Sequence, residues 1–260
     1  MMCAAHAKCC ADCDERNMNL VVDIGNSRVK AAVTDGGRVV RMIAGERFDV
    51  GMMRALQSEF PDIERAVVSS TAGDAEAAAG VIRQVGVWCM MFTPQVPVPV
   101  ANAYGSPGTL GADRLAAAVG IAAMYPGRNA AIIDCGTALT VDLLTADGTY
   151  RGGFISPGLR MRFAALHEHT SRLPECGPTE EILPLGTDTR SCIEQGVMQG
   201  MTAEIEAHIA RFEAKNDDLL KIFTGGDAKF FVKRIKNAIF ANCEPVICGL
   251  DRILEYNVSE

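Results

Sequence analysis

The chain has 260 residues, a formal net charge of −7, 48% hydrophobic and 22% charged residues, enough to bury the core of one large or two modest domains. The negative balance and the absence of a long basic run argue against a nucleic-acid surface. No apolar stretch approaches the ~20 residues of a membrane helix, and the N-terminus lacks the apolar core of a signal peptide. A cytoplasmic protein with no nucleic-acid or membrane partner is expected.

Of the ten cysteines, Cys3, Cys9, Cys10 and Cys13 crowd the start. No His/Cys set with finger spacing follows them, so residues 1–17 read as a disordered extension or mis-assigned start rather than a zinc site, with Met18 directly before the first strand. The scattered Cys89, Cys135, Cys176, Cys192, Cys243 and Cys248 read as reduced thiols.

Residues 18–43 read as three strands with tight turns. Between the first two lies Asp23-Ile24-Gly25-Asn26-Ser27-Arg28-Val29-Lys30, an acid and a glycine in a sharp bend that can aim backbone N–H groups at an anion. The Asp23 carboxylate could face phosphate only through a cation, which points to a nucleotide–metal complex. Met52, Met53, Leu56 and Phe60 then recur at helical spacing, and 66–70 is a strand. Asp74 is placed to cap a helix over 75–85, and Val87 to Phe92 is a strand whose Trp and Met side chains are assigned to the core.

Thr93 to Thr109 carries four prolines and two glycines and reads as a binding loop. It delivers the chain to Gly111-Ala112-Asp113-Arg114, which opens an apolar helix through Ala123. In that first turn a carboxylate is favoured by the helix dipole. A ligand role for Asp113 and Arg114 and a capping Asp beside a surface Arg fit equally well.

The first pattern then repeats. Ala130 to Ile133 runs into Asp134-Cys135-Gly136-Thr137-Ala138, a second strand and the turn Ala146-Asp147-Gly148. This duplication predicts two similar lobes with the bends facing across a cleft. Gly152, Gly153 and Gly158 are spaced for backbone approach to a ligand, and Leu159 begins a helix. Residues 169–188 form a loop, and Thr189 is expected to cap a long helix to about Phe212. On it, Gly196 and Gly200 read as packing glycines, with a bound nucleoside as the alternative. Leu220 to Ala228 reads as strand, glycine bend and helix, and Ile247 to Tyr256 as a packing helix.

The two bends resemble those of the acetate and sugar kinase/Hsp70/actin superfamily, whose lobes clamp ATP. The ordered set D-x-G-N-S-x-x-K, G-A-D-R, D-x-G-T-A-x-T, G-G-x-I-x-P-G and T-G-G, over about residues 18–256, resembles type III pantothenate kinase. Two departures are small: Ser27 stands where Thr is commoner, and Asp188 where Asn is commoner. The resemblance implies an α/β fold of two ribonuclease H-like lobes, 18–125 and 126–260, with mixed sheets flanked by helices, an ATP cleft between them and the last helix able to pack back on the first lobe. It implies ATP-dependent phosphorylation of pantothenate, the first committed step of coenzyme A synthesis, by a homodimer that uses Mg²⁺ and a monovalent cation, K⁺ or NH₄⁺.

By the same resemblance, Asp23, Ile24, Gly25, Asn26, Ser27, Arg28, Val29, Lys30 and Thr137 bind ATP. Lys30 adds positive charge if it turns inward and is otherwise a solvated strand lysine. Asp134 ligates the monovalent cation and Asp113 is the general base. Tyr104, Gly111, Ala112, Asp113, Arg114 and Thr189 line the pantothenate site, with Arg114 able to pair with an anionic group, while Gly225 and Gly226 flank the adenosine. The rival readings are another sugar or small-molecule kinase of the superfamily and a non-catalytic regulator. Asp23, Asp113 and Asp134 together argue for catalysis.

Overall fold

A computed structural model describes residues 18–73, 75–241 and 244–258. The expectations for residues 1–17, the Asp74 cap and Cys243 lie outside them. The chain opens with β1 (Met18–Ile24), β2 (Val29–Asp35) and β3 (Arg38–Gly45), an antiparallel meander. Then come α1 (Val50–Glu59), β4 (Ile63–Ser70), α2 (Ala75–Gln84) and β5 (Trp88–Met91), which add parallel strands beside β1. Asp49 caps α1 by accepting the Met52 N–H.

After β6 (Ala101–Asn102), a short 3-10 turn and α3 (Ala112–Met124), the meander recurs as β7 (Ala130–Cys135), β8 (Ala138–Thr145) and β9 (Thr149–Pro157). It is followed by α4 (Leu159–Glu168), α5 (Thr189–Glu213), β10 (Leu220–Thr224), α6 (Lys229–Val232), β11 (Ala238–Phe240) and α7 (Pro245–Val258).

The sheet orders show the duplication directly. The first is β3-β2-β1-β4-β5, and the second contains β9-β8-β7-β10-β11, the same arrangement, with β6 added outside β9. β6 comes from the segment ahead of α3, so a piece of chain before residue 126 completes the second sheet.

Strand alternation sorts the core into three layers. Leu20, Val22 and Val68 face α1 and α2, packing on Met53, Leu56 and Ile82. Ile133, Val141 and Phe223 face α4 and α5. The opposite faces of both sheets, through Val21, Val67, Ile132 and Ile222, enclose α3 and α7 between them. A helix apolar on every side suits such a double-faced site.

The two helices cross in backbone contact. A Cβ at Gly120 would lie 2.1 Å from the Pro245 carbonyl oxygen, and one at Gly249 would lie 1.8 Å from that of Ala116. Any side chain there would force the helices apart, so glycine sets how closely the two sheets approach. α7 also reaches the first sheet through Asn19, whose Nδ2 donates to Asp251 (2.9 Å) and Glu255 (2.7 Å).

Trp88 departs from its predicted core position, with 53% of its surface exposed. β5 is an edge strand, and the period of two that buries Cys89 turns Trp88 outward. Among the described residues, no helix is long and apolar enough to cross a membrane.

Candidate active site

The two bends come together at their tips, where the Ser27 and Thr137 hydroxyls lie 2.8 Å apart. Each bend is closed from within: the Gly25 N–H donates to the Arg28 carbonyl (3.0 Å) and the Gly136 N–H to that of Ala138 (3.1 Å). These glycines therefore shape the bends with their N–H groups instead of offering them to an anion. Asn26, Ser27, Arg28 and Thr137 are exposed at the tips, while Ile24 and Val29 are buried anchors of the hairpin.

Three acids converge behind the tips. Asp23 lies opposite Lys30 across the first hairpin, and Asp134 lies between Thr140 and Thr224 on its neighbouring strands. Asp113 sits in the first turn of α3, after Gly111 at the N-cap and the buried Ala112. Burial raises Asp23 to about 6, with Lys30 opposing and Asp113 and Glu244 adding to the rise. Burial raises Asp134 to about 7, reinforced by Asp113, Glu244 and Asp23 and opposed by Lys30. Burial also pushes Asp113 up, against the hydrogen bond its Oδ1 accepts from the Arg114 N–H at 2.9 Å.

Lys30 is not free in the site, although 30% of its side chain stays exposed. Its Nζ donates to Glu244 at 2.8 Å, at the head of α7. Glu244 was not singled out in the sequence because nothing local marks an acid before a proline as a site residue.

Arg114 is buried too, so it is not a surface arginine. Its Nε–H donates to Asp142 Oδ2 at 3.0 Å and its Nη2 to Asp142 Oδ1, making a bidentate pair inside the protein. Burial alone would disfavour this charge, and the bonds and charge of Asp142 more than offset it. The predicted anionic partner is thus met by the protein's own β8. Tyr150 O–H donates to the same carboxylate at 2.8 Å, and the Tyr104 ring lies 5.7 Å from the guanidinium carbon. Asp142 stands in the apolar run Val141-Asp142-Leu143-Leu144, and a lone acid in a buried strand signals a partner.

Several glycines serve packing. A Cβ at Gly153 would meet the Val141 carbonyl oxygen at 2.0 Å, and one at Gly158 that of Thr137 at 2.2 Å. Gly152 lies against the Tyr104 ring. Gly153 and Gly158 allow backbone to approach backbone, and Gly152 allows the Tyr104 ring to approach β9. Gly225, at φ +90°, lies where a Cβ would come within 2.3 Å of Asp134 Oδ1. Gly196 and Gly200 are exposed on α5 with open space beside them, so they do not pack helices within this chain.

Thr189 does not cap α5. Asp188 does, accepting the Ser191 N–H at 3.1 Å, while the Ser191 hydroxyl bonds back to form a capping box. Among the described residues, no hydrogen bond or ion pair joins Thr189 to Asp113, Tyr104 or Arg114. A groove of about 890 Å³ runs along α7 past Thr224, Gly225, Glu244, Phe240 and Met42, and it nears the second bend through Gly225, which lies against Asp134.

Residues 19–211 match the sequence profile of the type III pantothenate kinases. The chain belongs to the type III pantothenate kinase family. Among its relatives, a type III pantothenate kinase of Phocaeicola vulgatus is 38% identical over 92% of this chain and 99% of its own. One from Christiangramia forsetii is 37% identical over 94% and 100%.

Solved structures share the fold at low identity. A Campylobacter jejuni protein assigned to the Baf family of transcriptional activators has a TM-score of 0.61 at 20% identity, covering 93% of this chain and 100% of its own. Component A of (R)-2-hydroxyglutaryl-CoA dehydratase from Acidaminococcus fermentans has 0.56 at 12%, covering 94% and 100%. The kinase therefore carries the family's sequence on a two-sheet fold that other proteins also use.

Proposed function

We propose that this chain transfers the γ-phosphoryl group of ATP to the primary hydroxyl of pantothenate, giving 4'-phosphopantothenate at the start of coenzyme A synthesis. Beyond family membership, the observation that carries this reading is the convergence of Asp23, Asp113 and Asp134 behind the joined tips of Ser27 and Thr137.

Phosphoryl transfer is chiefly positioning and charge neutralisation. The exposed Asn26, Ser27 and Arg28 face the phosphates with Thr137 opposite, and the groove beside Gly225 and Gly226 takes the adenosine. Asp113 accepts the proton of the attacking hydroxyl. Its raised pKa makes it a stronger base than an exposed aspartate, and a carboxylate in the first turn of α3 is held in place by the helix. Tyr104, Gly111, Ala112 and Arg114 form the wall around that base.

The acids suit hard cations. Asp23 Oδ1 is buried with no hydrogen-bond partner, and both Asp23 and Asp134 carry a charge penalty that a cation would relieve. Among the described residues no three His, Cys, Asp or Glu side chains gather into a metal cage, so phosphate and water oxygens must complete the coordination. Asp23 would hold Mg²⁺ and Asp134 a monovalent K⁺ or NH₄⁺, which when bound neutralise phosphate charge.

We also infer a homodimer. Thr189, which the family resemblance places in the substrate site, makes no bond to that site within one chain, and a second copy could deliver it. A cytoplasmic location fits an enzyme that needs ATP and has free thiols at Cys89, Cys135, Cys176, Cys192 and Cys248.

The test is ADP release with and without pantothenate, with the phosphorylated product identified by mass. ADP release that ignores pantothenate but responds to another alcohol would replace this reading with a different superfamily kinase. No ADP release with any acceptor would favour a regulator.

A further inference from the structure

We infer that Asp142 and Tyr150 are positioning residues that register the base-bearing helix α3 against the phosphate-facing bend at Thr137; the inference rests on the phosphotransfer reading above. β8 begins immediately after Thr137 and carries Asp142 four residues on from its first residue, Ala138. At that point the strand holds Arg114 in a bidentate grip and takes a third bond from Tyr150 on β9. Arg114 is the residue after Asp113, and its own backbone N–H bonds the Asp113 carboxylate. The acceptor side and the donor side of the reaction thus share one buried joint.

The joint has little freedom. Arg114 and Asp142 side chains are 6% and 3% exposed, so neither can exchange its partner for water. Gly153, opposite Asp142 on β9, leaves no slack, since a Cβ there would come 2.7 Å from Asp142 Oδ1. A Cβ at Gly111 would lie 2.5 Å from Asp113 Oδ1, so the base is hemmed in from the helix start as well. Displacing reacting atoms by about 1 Å can cost ~10²-fold in rate, so a rigid joint between base and phosphate bend has catalytic value without touching substrate.

Asp142→Asn keeps the shape of the carboxylate but removes its charge. It is expected to lower kcat by about 10²-fold while the KM for ATP changes less than about threefold. In an Asp113→Asn background the same change should add little, because a joint that acts through the base has nothing left to position. Circular dichroism and Tm establish that each variant is folded.

An unchanged kcat in folded Asp142→Asn, or a loss that multiplies fully with that of Asp113→Asn, would overturn the inference. Tyr150→Phe leaves the buried ion pair intact and serves if Asp142→Asn does not fold. It should lower kcat about three- to tenfold at constant ATP KM, and a wild-type kcat would overturn the inference equally. Wild type is measured in the same assay: if it shows no pantothenate-dependent turnover, the functional reading fails, whereas failure of the joint leaves wild-type activity standing.

Discussion

The first and second hairpins place an acid, a glycine and a hydroxyl in equivalent positions but balance their charge differently. Asp23 has Lys30 directly across its hairpin, and Lys30 is tied to Glu244. Asp134 is in register with Thr140 and Thr224, so the lysine that opposes its charge penalty is again Lys30, from the other hairpin. Burial is the chief cause that raises both carboxyls, Asp23 to about 6 and Asp134 to about 7, and Lys30 opposes the rise in each. The first hairpin thus supplies a lysine that the second lacks, and that one lysine opposes the charge penalty of both acids.

Asp113 belongs to neither hairpin, and removing it should have the largest effect. Asp113→Asn is expected to fold and bind ATP but lose about 10²–10⁴ in turnover, the share of general-base catalysis. Activity within a few-fold of wild type would exclude Asp113 as the base.

The packing of the second hairpin is tested next. Gly225→Ala combines a left-handed backbone with a Cβ pressed onto Asp134, and over-packing of this kind costs about 1–3 kcal/mol. At this chain length that is a Tm fall of roughly 2–12 °C. Gly226→Ala, with open space around it, is the control and should melt near wild type.

The monovalent cation proposed at Asp134 gives the third test. Turnover should rise with K⁺ or NH₄⁺ and stay low in Na⁺ at fixed ionic strength, and Asp134→Ala should flatten that response. Equal rates in Na⁺, K⁺ and a bulky organic cation would remove the asymmetry between the hairpins.

The smallest effect is on the pH dependence of the ligand-free protein. Asp23 and Asp134 keep protons in the folded state that they release from their ordinary value of 3.8 in the unfolded chain. The folded state therefore binds more protons between 3.8 and about 7, and stability falls as pH rises through that window. Tm should be lower at pH 8 than at pH 5, and Asp134→Asn should flatten the slope. His208, held below its usual range by burial, works in the opposite sense, so the variant is the decisive comparison. A wild-type slope retained in Asp134→Asn would contradict the charge penalty placed on that residue.

Local pattern determined much of this protein. The acid–glycine bends, their repetition, the apolar helix after Asp113 and the order of strands all rest on short-range spacing and turn chemistry, which the chain cannot hide. Where the structure departed from expectation, the deciding contacts were distant in sequence. Lys30 meets Glu244 and Arg114 meets Asp142 because sheets and helices bring them together, so the identity of a charge was legible but its partner was not. Glycine was equally two-sided. The sequence marks Gly152, Gly153 and Gly158 as points of close approach, and only the tertiary structure brings the Tyr104 ring, the Val141 carbonyl and the Thr137 carbonyl against them. Trp88 reads as core within an apolar strand, and an edge position in the sheet turned it out. The sequence alone determined which groups can carry phosphotransfer chemistry, because side-chain identity sets acidity, charge and hydrogen-bonding capacity. Tertiary structure alone decided how those groups are tuned, because burial and the distance between charges exist only once the two sheets close on α3 and α7.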